Sequence, residues 1–163
     1  RERVNRDRVP YDVWRDEEFI RTTPGNVTDY DFIEKEVLEL TKEFQIVQVG
    51  YDPWNATHLA VRLLGQGAPM VEFRQSFSMM AEPVKELQRL VVDGALRHGG
   101  NSVLNWMASN VVVKVNADGQ MKIDKEKSSE KVDGMVALVM ALGCALRDVT
   151  QESVYEERGL EVW

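Results

Sequence analysis

Two aspartates, Asp52 and Asp133, are the residues whose surroundings best suit chemistry in this sequence. Asp52 lies in Gln45–Trp54, read as Q-I-V-Q-V-G-Y-D-P-W. Ile46, Val47 and Val49 form a short β-branched run that suits a buried strand, and Gly50 and Pro53 punctuate it. Asp52 is thereby placed just past the carboxyl end of a strand, the edge at which open α/β sheets bind ligands. Asp133 stands in E-K-V-D-G, at the head of a long apolar stretch, where an acid gains from the helix dipole. Two carboxylates drawn together from distant parts of an α/β sheet are hard oxygen donors, suited to oxygen-loving divalent cations. Two such ions, about 3.5–4 Å apart, activate a water and stabilise the leaving oxygen in phosphodiester hydrolysis. Both acids also have a plain structural reading. Asp52 is a favoured cap for the helix that follows, and Asp133 is a surface acid at a helix start. Spacing alone leaves both readings open.

Other chemistry-bearing residues are less well placed. Lys114, Lys122, Lys125, Lys127 and Lys131 form the one basic cluster, a candidate for phosphate contact or simply a solvated face. His58 falls on the helix after Asp52, and His98 in a Gly-rich loop. Gly99-Gly100 lacks the Lys-Ser/Thr of a phosphate-binding loop. The single cysteine, Cys144, excludes an internal disulfide and reads as core filler in an apolar helix.

The elements that must position these groups follow from local pattern. A short helix begins near Tyr11, with Val13, Trp14 and Phe19 as packing residues. Asp29 caps a helix over about Tyr30–Glu43, with Ile33, Val37, Leu40 and Phe44 on one face. After the Asp52 strand, Asn55 is expected to cap a helix over Ala56–Leu64. Met70–Phe73 reads as a strand and Glu82–Asp93 as a helix with Pro83 in its first turn. Asn101 is a cap for a short helix. Val111–Val115 and Gln120–Ile123 flank Asn116-Ala117-Asp118-Gly119, which predicts a β-hairpin. Ser129–Arg147 is apolar around most of its circumference, so it is expected to be a buried helix.

The 163 residues are enough for one sizeable core, and 44% hydrophobic content is ordinary for a globular chain. With 20 Lys+Arg against 27 Asp+Glu, the formal net charge is −7. That argues against holding nucleic acid by electrostatics alone, but not against acting on it through bound cations. No run is long enough to span a membrane, and the start carries no apolar signal core.

Several ordered motifs then agree. Tyr51–Thr57 (Y-D-P-W-N-A-T), Leu96–Asn101 (L-R-H-G-G-N), Trp106–Val111 (W-M-A-S-N-V) and Glu130–Gly143 (E-K-V-D-G-M-V-A-L-V-M-A-L-G) resemble the large subunit of tailed-phage terminases. Val9–Trp14 and Thr23–Tyr30 are similar as well, and the resemblance runs to about Arg147. It implies an α/β, ribonuclease-H-like nuclease fold, a mixed sheet flanked by helices with its first strands missing. A partial nuclease domain is expected over residues 1–148 and an acidic tail over 149–163. In such a family three acids hold two Mg²⁺ or Mn²⁺ ions and cut concatemeric DNA into genome lengths. Asp52 and Asp133 match two of the acids, and the first acid lies upstream of this sequence. The implied partners are double-stranded DNA, the terminase small subunit and the portal, in the cytoplasm of the host cell. The rival expectation is a fragment without catalytic competence that only binds DNA or protein. A ribonuclease-H-like resolvase or integrase is a third, opposed by the Y-D-P-W and late-helix wording.

Overall fold

The computed structural model describes residues 9–156, with side chains for all of these except Asn55 and residues 149–156. Helix α1 (Tyr11–Asp16) is short and held by aromatic contact. Trp14 is buried, meets the Tyr11 ring edge-on at 5.8 Å and lies 5.3 Å from the ring of Trp106. Val13 and Phe19 stay exposed, contrary to expectation. The helix stops at Asp16, and Glu18 takes a positive φ of 61°, so the turn carries Phe19 away from the face that Trp14 occupies.

Helix α2 (Tyr30–Glu43) is capped as expected, Phe32 N–H donating to the Asp29 carboxylate at 2.9 Å. Strand β1 (Val49–Tyr51) lies later than the Ile46–Val49 run that predicted it. Pairing decides this. Val49 N–H donates to Pro69 O and Phe73 N–H to Tyr51 O, which sets a parallel ladder with β2 (Met70–Glu72). Gly50 does not stop the strand but lets it approach a helix, since a Cβ there would sit 2.9 Å from the Cys144 sulfur.

Helix α3 (Pro53–Gly65) starts at once after β1, with Asp52 as its cap instead of Asn55. Pro53 tolerates the first helical position because the N–H it lacks has no partner there. Helices α2 and α3 are joined through the buried Glu34, which meets Arg62 at 2.6 Å and accepts from Gln66. Helix α4 (Phe77–Val92) begins earlier than expected, under a Ser76 cap, and places Pro83 inside it. Helix α5 (Ser102–Ser109) has the expected Asn101 cap, accepting from Leu104 N–H at 2.9 Å. Strands β3 (Val113–Val115) and β4 (Met121–Ile123) form the expected antiparallel hairpin. The Asn116 side chain accepts from the N–H groups of Asp118 and Gln120, and Gly119 takes φ 74°.

Helix α6 (Asp133–Glu156) is the centre of the molecule. Its Val136, Val139, Met140 and Cys144 pack with Phe73, with Met80, Val84 and Leu87 of α4, and with Ile123 of β4. It starts later than Ser129 because residues 124–132 form a separate turn. It also runs past Arg147, so the first half of the expected acidic tail is helical; residues 157–163 lie outside the described ones.

The expected single mixed sheet is instead two separate two-stranded ladders among the described residues. The chain leaves β2 and turns into α4, and the hairpin joins that turn by a side chain. Lys122 donates to Gln75 O at 2.9 Å, where backbone pairing would have been needed to merge the ladders. No helix among the described residues is long and apolar enough to cross a membrane.

Candidate active site at the strand ends

Asp52 is half-buried, and both of its oxygens are engaged. Oδ1 accepts from Trp54 N–H at 3.0 Å, the capping bond of α3. Oδ2 accepts from Gln75 N–H at 3.3 Å, across the chain from the residues that follow β2. The capping reading is therefore correct, but it does not exhaust the group. A carboxylate has about four lone-pair sites, so two N–H donors orient it and leave lone pairs for a further ligand. Asp133 is the first residue of α6 and exposed, and its Oδ1 accepts from Lys125 Nζ at 2.9 Å.

The packing of β1 on α6 relates the two acids. Gln48 donates to Asp148 at 3.2 Å, and Gly50 lies against Cys144. Strand and helix thus run in opposite directions. Two strand residues rise about 6.6 Å and four helical residues about 6 Å, so each step along β1 matches two along α6. Continued by one further step of two, Asp52 falls level with Met140. Asp133 is then about 10 Å further along the axis, towards the same end of the domain. Between them runs β4 and the residues after it, Lys122 reaching Gln75 O and Lys125 reaching Asp133. Among the described residues no group of three or more His, Cys, Asp or Glu side chains is placed to hold a metal ion.

Asp124 follows β4 and is buried. It accepts from the N–H groups of Glu126 at 3.2 Å and Lys127 at 3.4 Å, and from Lys114 Nζ at 3.4 Å. Burial pushes its carboxyl up, but those N–H donors and the Lys114 charge outweigh it, and the group titrates below the ordinary range. A carboxyl lowered by folding stabilises above its unfolded pKa, about 3.9, and loses that contribution as pH falls through the folded value. Urea unfolding of Asp124→Asn and of the parent is therefore expected to differ at neutral pH and to converge well below pH ~4. A constant difference down to the acid limit would show that the ionised carboxylate is not what orders this turn.

The five lysines are not equivalent. Lys114 and Lys122 are half-buried. The first is held by Asp124, and the second by Gln75 O and by the Phe77 ring, 5.0 Å away. Lys125 is on Asp133, whereas Lys127 and Lys131 are exposed and have no ion-pair partner among the described residues. His58 and His98 are both exposed. Cys144 is buried, which pushes its thiol up while Arg147 pulls it down, as suits a core residue.

Two residues beside Asp52 escaped the sequence reading. Trp54 is 87% exposed. Arg74 follows β2 directly before Gln75, and its exposed side chain pairs with the exposed Glu72 at 2.6 Å. Its guanidinium is raised above its ordinary value by the Glu72 hydrogen bond and charge, against burial, with Asp52 adding. Parallel strands end at the same sheet edge, so the residues after M-V-E-F could have been recognised as neighbours of Y-D-P-W.

Comparison with known proteins now bears on this site. The chain is 39% identical over 153 residues to the terminase large subunit of Enterobacteria phage HK97, covering 93% of this chain and 30% of that protein. It is 32% identical over 138 residues to protein YmfN of Escherichia coli K12, covering 83% of this chain and 30% of that one. The crystal structure of the HK97 large terminase superposes with a TM-score of 0.81 at 39% identity, over 88% of this chain and 30% of that chain. The chain thus spans about 30% of the length of these relatives. The family model of the terminase large subunit endonuclease domain matches residues 1–148, and the chain belongs to that family.

Proposed function

We propose that Asp52 and Asp133 hold Mg²⁺ or Mn²⁺ in a ribonuclease-H-like endonuclease that cuts concatemeric phage DNA during packaging. What supports this reading is the opposed run of β1 and α6, which, continued at ideal strand and helix rises, sets the doubly anchored Asp52 and the exposed Asp133 towards one end. Both acids fit a hard divalent cation in kind, as carboxylate oxygen donors. When bound, such ions supply an activated water and counter-charge for the leaving oxygen. The chain's own part is orientation. The N–H groups of Trp54 and Gln75 fix the Asp52 carboxylate, and Lys125 holds Asp133 by a pair that a more highly charged cation can displace. In this reading double-stranded DNA is the substrate, the small subunit and portal are the partners, and the host cytoplasm is the place.

A second reading has one observation in its favour. Among the described residues no group of three or more His, Cys, Asp or Glu is placed to hold a metal ion, as in a domain that binds DNA or protein without cutting. Supercoiled-plasmid cleavage by the full-length protein separates the two. Nicking with Mn²⁺ that EDTA stops and added Mn²⁺ restores is expected. Cleavage indifferent to EDTA would refute the metal reading, and no cleavage under any condition would favour the binding module.

A further inference from the structure

We infer that Trp54 and Arg74 form the DNA-binding rim of the Asp52 site, the indole stacking on a nucleobase and the guanidinium binding a backbone phosphate. This rests on the nuclease reading above and names how substrate is held there. The two N–H groups that anchor the Asp52 carboxylate belong to Trp54 and to Gln75, the residue after Arg74. Trp54 and Arg74 therefore flank the carboxylate, one on each chain segment that holds it.

The side chains themselves are available. Trp14 and Trp106 pack against each other, but Trp54 is 87% exposed, and nothing on its own helix covers it. Thr57, His58 and Val61, the next residues along that face of α3, are exposed as well. A bare indole loses hydration energy to no contact of its own, whereas a base offers it a π-face of matching size. Among the described residues the ion pair of Arg74 is with Glu72, its members 71% and 46% exposed. Exposed pairs of this kind contribute little, so a phosphate, which accepts from Arg in bidentate fashion, can replace the glutamate. The chain's acidic balance makes such local contacts the more necessary, since its overall field does not attract DNA.

Stacking needs a base out of its pair, so the indole should favour single-stranded or mismatched DNA over a matched duplex. The test measures binding of fluorescein-labelled oligonucleotides, duplex and single-stranded, by the full-length protein with Mn²⁺ over a range of salt. An Asp133→Asn background prevents cutting. Trp54→Ala is expected to weaken single-strand binding about tenfold, with the salt slope unchanged and Trp54→Phe restoring most of the loss. Arg74→Gln is expected to lower the salt slope by about one ion, with Arg74→Lys keeping it. Circular dichroism checks that each variant is folded. Wild-type affinity and slope in Trp54→Ala and Arg74→Gln would overturn the inference, as would Trp54→Phe binding no better than Trp54→Ala. If Asp133→Asn still cuts, the site reading itself has failed. If it does not cut and the rim variants bind as the parent does, only the rim is refuted.

Discussion

Asp52→Asn in the full-length protein is expected to lower Mn²⁺-dependent plasmid cleavage by at least about 100-fold, since even groups behind a metal ligand are worth 10–100-fold. The substitution removes the charge and leaves the fold nearly intact. Asn caps helices as well as Asp does, so the amide oxygen can keep the Trp54 N–H bond that starts α3. It cannot serve both donors. If the oxygen stays on Trp54, the new NH₂ group faces Gln75 N–H, which the carboxylate accepted at 3.3 Å. The expected stability loss is about 1 kcal/mol, that of one ordinary hydrogen bond. Asp133→Asn should be as inactive and lose less stability, because the side chain is exposed and its one bond among the described residues is to exposed Lys125. Asp52→Ala should lose the cap as well, about 1 kcal/mol more. Cleavage gels with thermal unfolding of each variant check this. Asp52→Asn or Asp133→Asn cutting within a few-fold of the parent would remove that residue from the site.

Gly143→Ala is expected to be the most damaging small substitution in the core. A Cβ at Gly143 would lie 2.4 Å from two ring carbons of Phe73 and 2.9 Å from Cγ of Pro83. Neither neighbour can yield cheaply. Phe73 is 1% exposed and enclosed by the core, and Pro83 is buried within α4. Overpacking of this kind costs about 3 kcal/mol at the upper end of its usual range. The helical preference for alanine over glycine returns about 1 kcal/mol of that. A net loss of about 2 kcal/mol should lower the melting temperature of the chain by roughly 4–8 °C. Gly65→Ala is the control, because nothing lies within 4 Å of a Cβ there. Adding Phe73→Leu to Gly143→Ala should cost less than the two changes summed, the mark of a shared contact. A stable Gly143→Ala protein would mean that α4 and α6 slide apart more easily than their packing implies.

What the sequence settled by itself was whatever a few neighbouring residues decide. Asp29 and Asn101 cap their helices through N–H groups three residues on, and Asn116 and Gly119 close their hairpin within five. Asp52 was legible for the same reason. Pro53 starts the next helix directly after Asp52, which leaves Asp52 just past the strand. Local pattern failed where a partner distant in sequence chose. Ile46 and Val47 have the residue types for a strand, but β2 pairs with Val49–Tyr51, so the strand forms there. The lysines of one apparent basic cluster divide, Lys114 and Lys122 turning inward to Asp124 and Gln75, and Lys127 and Lys131 remaining at the surface. Beyond the local cap bond from Trp54, the surroundings of Asp52 belong to tertiary structure. The bond from Gln75 crosses 23 residues and that from Lys122 to Gln75 crosses 47. Periodicity and turn chemistry carry no information at that range, because such contacts exist only once α6 has packed its neighbours into place.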